Sequence, residues 1–176
     1  MKRKYNYFLL SWLIFFGFGS LKAQNVSFYQ QFNGRYDFTF VGNTLNPAEN
    51  SFQFNPDILT ESSAELDLAA DVTLLKAYLY WAGSGDGDFE VELNGQLISA
   101  QRNFGLTRTF NGVDFTYFSA FSDITSFIQT NGNGTYILSG LDNVSYLPLH
   151  FQRRTNFAGW AIILVYYHPD LPLNQI

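Results

Sequence analysis

Cysteine is absent from this 176-residue chain, which excludes a disulfide framework, a thiolate metal site and a cysteine nucleophile. Stability must come from packing instead. Histidine is nearly absent too: His150 and His168 stand apart in sequence, with no carboxylate at metal-site spacing. Neither Gly-x-Ser-x-Gly nor His-Glu-x-x-His occurs, and no glycine loop precedes a helix as a phosphate cradle would. The expectation is a chain that is not an enzyme. The paired acids of a glycosidase stay open, because their separation is set in three dimensions and leaves no fixed spacing in sequence.

Apolar runs long enough to span a membrane are also missing, and the apolar stretch at the start is no exception. Lys2, Arg3 and Lys4 precede an apolar stretch from Tyr7 to Phe18, interrupted by Ser11 and Gly17 and followed by Gly19-Ser20. A membrane-spanning helix needs roughly 20 consecutive apolar residues. The stretch reads instead as the body of a cleavable signal peptide covering residues 1–23, with cleavage after Ala23. The mature chain, 24–176, is expected to be one domain without a stable membrane span. It would be exported across the inner membrane and end up secreted or at the cell surface.

Basic residues are scarce and become scarcer on export. Lys2, Arg3, Lys4 and Lys22 leave with the signal, so six basic residues face all fifteen acidic ones and the formal charge is −9. Such a domain repels nucleic-acid phosphates and anionic lipid, so nucleic acid is not an expected partner. An extracellular glycan, a surface protein or calcium remain open.

Aromatic residues, by contrast, are abundant: 19% of the chain is Phe, Trp or Tyr, and they fall in strand patterns. Phe89-Glu90-Val91-Glu92-Leu93 and Val113-Asp114-Phe115-Thr116-Tyr117 alternate apolar and polar residues, which puts one set on each face of a sheet. Asn33-Gly34, Asn94-Gly95 and Asn111-Gly112 punctuate such runs. A two-residue primed turn needs positive φ at both central positions, so each Asn-Gly pair predicts a hairpin, and together they predict a meandering antiparallel sheet. Thr73 to Ala82 and Phe157 to Tyr167 lack clean alternation and read as central strands covered on both faces. Ser122 to Thr130 has helical spacing at Ile124, Phe127 and Ile128, with Ser122 as the candidate N-cap. About nine strands and one short helix predict an all-β, antiparallel, jelly-roll-like β-sandwich. Gly42 to Ser63, rich in Asn, Pro and Ser, reads as a long mobile connection. The last residues, Pro169 to Ile176, read as a turn and the opening of another strand, as expected of the N-terminal part of a longer protein.

Four blocks carry a family resemblance: Ala77-Tyr78-Leu79-Tyr80-Trp81-Ala82-Gly83-Ser84-Gly85; Asp88 to Gly95; Phe118-Ser119-Ala120-Phe121-Ser122-Asp123-Ile124-Thr125; and Thr155 to Trp160 with Leu171 to Gln175. In this order they resemble the N-terminal module of large Bacteroidetes surface proteins. Those proteins typically end in a gliding-motility-associated C-terminal domain that serves as a type IX secretion sorting signal. The similarity covers most of the mature chain. It implies a secreted or surface-displayed, adhesin-like protein and supplies no catalytic residues. The sorting domain itself is not present in these 176 residues.

Two clusters are candidate sites. Asp86, Asp88 and Glu90, beside Gly83, Gly85 and Gly87, place hard oxygen ligands in a turn that could close on calcium, the one cofactor suggested. Their spacing is not that of an EF-hand, and the plainer reading is a solvated hairpin turn leading into a strand whose outward residues are acidic. Tyr78 and Tyr80 lie on one side of their strand and Trp81 on the other; the tyrosines could form a platform for sugar rings or belong to a two-sided core. Trp160 reads as core. Arg153 and Arg154 could grip a carboxylate or a sulfated glycan, or be a solvated loop. The leading functional expectation is an adhesive or structural surface module, and the alternative is a carbohydrate-binding module attached to a secreted glycan-degrading enzyme.

Overall fold

The computed structural model describes residues 27–50, 58–142 and 147–176. The signal segment and the centre of the Gly42–Ser63 connection lie outside the described residues. Residues 27–31 belong to an N-terminal unit, Met1–Gln31, and their described part has no regular structure. The β domain is Phe32–Ile176.

Its elements in chain order are β1 (Asn33–Gly34), β2 (Tyr36–Thr44), β3 (Glu61–Leu66), β4 (Thr73–Ser84), β5 (Glu90–Leu93), β6 (Gln96–Ser99), β7 (Arg102–Phe110), β8 (Val113–Asp123), α1 (Thr125–Asn131), β9 (Gly134–Ser139), α2 (Leu147–Phe151), β10 (Ala158–Tyr167) and β11 (Asn174–Gln175). One sheet runs β2-β10-β4-β8-β7, a second runs β3-β9-β5-β6, and β1 pairs with β11. Every pairing is antiparallel. The fold is the expected all-β sandwich, with a second short helix, α2, that the sequence pattern does not announce.

Two of the three Asn-Gly pairs are hairpin turns. Asn94-Gly95 joins β5 to β6 and Asn111-Gly112 joins β7 to β8, with φ of 50° and 75° in both. These are the positive values that a primed turn demands. Asn33-Gly34 is not a turn: its residues pair with Gln175 and Asn174 as a two-residue strand. The strand order is not a meander either, because the chain changes sheets between β2 and β3, β3 and β4, β4 and β5, β6 and β7, β8 and β9, and β9 and β10.

The core lies between the two sheets. Ala77, Leu79 and Trp81 of β4 and Trp160, Ile162 and Leu164 of β10 meet Val91 and Leu93 of β5 and Tyr136 and Leu138 of β9. Trp81 and Trp160 are cross-strand partners, and each indole N–H is satisfied, donating to the Asp88 carbonyl and the Ser62 hydroxyl at 2.8 Å. Burying these rings therefore leaves no unpaired donor, whose cost would be about 1–3 kcal/mol. β4 and β10 are the central strands that their continuous apolar runs predict.

Helix α1 starts later than the spacing suggests. Ser122 is buried in β8, which extends to Asp123, and the N-cap position is Ile124, without a side-chain cap. Asp123 takes over this work, accepting from the backbone N–H and the hydroxyl of Thr125 at 2.9 and 2.6 Å and from Lys76 at 2.9 Å. Partial burial alone would raise its pKa, but these hydrogen bonds and the ammonium outweigh burial and hold the carboxyl below its ordinary value.

Candidate functional site

The outer face of the five-stranded sheet, opposite the core, carries the most unusual surface of the described residues. Register places one row of residues across it as Thr44, Gly159, Ala82, Ser119 and Phe104, and the next as Gly42, Ala161, Tyr80, Phe121 and Arg102. The middle of the first row is small, so the sheet has a trough there. It measures about 560 Å³ and is lined by Tyr80, Ala82, Ser119, Phe157, Gly159 and Ala161 among others. Phe157, in its lining, is partly exposed; on the same face Phe104 ends the first row, and Phe40, 69% exposed, and Phe38 lie opposite Ile163 and Val165 farther along the sheet. Contiguous apolar surface of this kind marks an interaction site more often than scattered exposed side chains do.

The two candidate tyrosines have separate fates. Tyr78 is only 6% exposed and packs with Phe32, Phe121 and Val165 in a second, smaller core on this face. Tyr80 is 40% exposed at the edge of the trough, and its ring meets Phe121 edge-on at 5.1 Å. The contact holds the Tyr80 ring in one orientation, which lowers the entropy a ligand must overcome in ordering it. Tyr78 is thus covered by its neighbours on this face, and Tyr80 is the tyrosine ring left accessible.

Beyond the trough lies a smaller pocket of about 360 Å³, lined by Arg108, Phe110, Phe115, Tyr117, Arg153 and Thr155. Arg108, Phe115 and Tyr117 come from the β7–β8 hairpin, Arg153 and Thr155 from the loop after α2. That loop is fixed from several sides. Ser84, fully buried, donates to the Thr155 carbonyl at 2.9 Å and accepts from the Phe157 N–H at 3.0 Å. The Asn46 side chain accepts from the Ala158 N–H at 2.9 Å. His150, also fully buried, shares a 3.0 Å hydrogen bond with the Thr155 hydroxyl, and its ring meets Phe115 and Tyr117 edge-on. Burial lowers the His150 pKa against the opposing pull of the Thr116 and Thr155 backbone, so the ring is neutral at pH 7. Tyr117 stacks on Phe157 at 6.1 Å, and this pair, lining the pocket and the trough respectively, links the two.

Of the sequence candidates, Arg153 enters this pocket; Arg154 is not among the side chains that line it. Arg108, Tyr117 and Thr155 are pocket residues that the sequence does not single out. The available signal was the alternation Arg102, Phe104, Leu106, Arg108, Phe110, which puts cations and apolar groups on one face of an edge strand.

The acidic turn is occupied by its own hydrogen bonds. One Asp88 carboxylate oxygen accepts from the Glu90 N–H at 3.2 Å and the other from the Asp142 N–H at 2.7 Å. Glu90 accepts from the Ser99 hydroxyl at 3.1 Å. Among the described residues no group of three carboxylate or imidazole side chains converges as metal ligands do, and Asp86, Asp88 and Glu90 are not brought together as a calcium cage. His168 lies 3.1 Å from Asp71, remote in role from His150. Among the described residues no helix is long and apolar enough to cross a membrane.

The chain matches no protein-family model, no curated protein and no solved structure, so the site is defined by its geometry: an aromatic-walled trough on an outer sheet face, joined through stacked rings to an arginine-bearing pocket.

Proposed function

We propose that this chain is an exported, adhesin-like binding module, non-enzymatic and part of a larger surface protein of the gliding-motility and type IX secretion kind, that holds a glycan on the outer face of its five-stranded sheet. The observation that carries the binding role is the trough, with its floor of Ala82, Ser119, Gly159 and Ala161 and the half-exposed Tyr80 ring at its edge. Sugar rings offer one apolar face and a rim of hydroxyls. A small-residue floor lets the ring approach, and an aromatic side chain covers its C–H face while the hydroxyls stay in water. Export is supported by the layout of residues 1–23. A carbohydrate-binding module serving a secreted glycan-degrading enzyme would use the same face, and differs in the domain to which it is joined.

The test is a glycan array probed with residues 24–176 as wild type and as two aromatic insertions. Ala161→Trp fills the trough; Ile137→Trp adds the same surface on β9, in the other sheet. The expected result is glycan binding that Ala161→Trp abolishes and Ile137→Trp preserves, with both variants folded by circular dichroism. Binding that survives Ala161→Trp would remove the trough from the function.

A further inference from the structure

We propose that the pocket between Arg108 and Arg153 is a subsite for a single anionic sugar residue, one bearing a carboxylate or sulfate, at the end of a glycan whose neutral part lies in the trough. This rests on the reading of the outer face as a glycan site and names the class of ligand.

The charge distribution carries the argument. The mature chain has only six basic residues. Lys76 is paired with Asp123, and Arg35 donates to the Leu171 carbonyl. Of the other four, Arg108 and Arg153 line this pocket, whereas Arg102, at the opposite end of β7, lies over the Phe104 ring and Arg154 is not in the lining. In a domain of charge −9, two of the six cations thus line one pocket. Among the described residues neither Arg108 nor Arg153 forms an ion pair. Two guanidinium groups lining one pocket repel each other, and an anion between them relieves that repulsion while accepting charge-assisted hydrogen bonds.

The pocket also favours a sugar over a bare anion. The Arg153 guanidinium carbon sits 5.2 Å from the centre of the Phe110 ring, a cation–π contact that leaves its in-plane N–H groups for a ligand. Phe110 and Tyr117 add ring surface for an apolar sugar face, and a volume of about 360 Å³ is at the small end of ligand sites. The Tyr117–Phe157 stack connects it to the uncharged trough. One anionic residue followed by neutral ones fits this sequence of surfaces, whereas a polyanion would be repelled by the rest of the domain.

The experiment compares uronate- and sulfate-terminated oligosaccharides with the methyl esters of the uronates, with the neutral parents and with a short acidic peptide, by titration calorimetry at low salt. The protein is residues 24–176 as wild type, Arg108→Gln and Arg153→Gln, each checked for an unchanged melting temperature. The expected result is a preference for the acidic glycan over its ester or neutral parent that falls at least about tenfold in each arginine variant. The uronate and sulfate arms then identify which anion the pocket takes. Three outcomes would overturn the proposal: no preference for the acid, a preference unaffected by both substitutions, or equal binding of the acidic peptide. Should neutral parents bind and Ala161→Trp abolish that binding, the trough stands and only the anionic subsite falls. If no glycan binds, both readings fall.

Discussion

Lowering the pH should weaken this fold through one residue, His150. Its ring is fully buried, flanked by Phe115 and Tyr117, and Nε2 has no hydrogen-bond partner among the described residues. A proton added to the ring would create a buried charge, and that burial outweighs the pull of the Thr116 and Thr155 backbone and holds the pKa below the ordinary value of 6.5. In the unfolded chain the imidazole takes up its proton as the pH falls through about 6.5, whereas in the folded chain it does not until the depressed value is reached. Between these two values the unfolded state binds more protons, so stability is intact above pH 7 and declines as the pH falls, by at most about 1.4 kcal/mol per pH unit. Urea unfolding at pH 7.5, 6.5 and 5.5 should show this loss in the wild type. The comparison is with His150→Phe, which keeps a ring in the Phe115–Tyr117 environment, and with His150→Gln. His168, the only other histidine, is common to all three proteins and cancels in the difference. Parallel stability profiles for wild type and both variants over this range would refute the reasoning.

Further outcomes follow from single positions. A Cβ on Gly42 would lie 2.2 Å from the Trp160 carbonyl oxygen, so Gly42→Ala should cost about 1–3 kcal/mol, read as a lower urea midpoint. At Gly112 a Cβ meets nothing within 4 Å, but φ is +75°; Gly112→Ala should therefore cost about 1–2 kcal/mol from backbone conformation alone. Millimolar calcium should leave the melting temperature unchanged, because Asp88 and Glu90 already serve internal donors; a rise of several degrees would restore the calcium site. Asp123→Ala removes the acceptor for Thr125 and Lys76 and should destabilise by about 1–2 kcal/mol at pH 7. Because the folded pKa of Asp123 is depressed, the wild-type advantage should be present above pH 4 and fade as the pH falls through the lowered value, in acid titrations of the two proteins.

What the sequence determined by itself is whatever depends on neighbours along the chain. The turns at Asn94-Gly95 and Asn111-Gly112 were legible because positive φ is a property of those residues in place. The strands β4 and β10 were legible from their continuous apolar runs, but their coverage was not: the run suggested cover on both faces, whereas the outer face is left open at Tyr80, Ala82, Gly159 and Ala161. The same logic fails where the partner is distant. Asn33-Gly34 has the composition of a turn, but its backbone groups are met by Asn174 and Gln175, more than a hundred residues away, and it is a strand. Ser122 resembles a helix cap, but pairing with Leu79 keeps it in β8, and Asp123 receives the helix start instead.

The candidate site divides along the same line. Alternation alone puts Tyr78 and Tyr80 on one face, and only the packing of Phe32, Phe121 and Val165 over Tyr78 distinguishes the buried ring from the accessible one. Arg153 could be suspected from sequence, but its companion Arg108 lies far off in the chain, on β7. The two line one pocket because Ser84, Asn46 and His150 tie the loop after α2 down onto the β7–β8 hairpin. Propensity and patterning are local quantities; a site assembled from neighbouring strands and a distant loop exists only once the sheet has formed and the loop has docked.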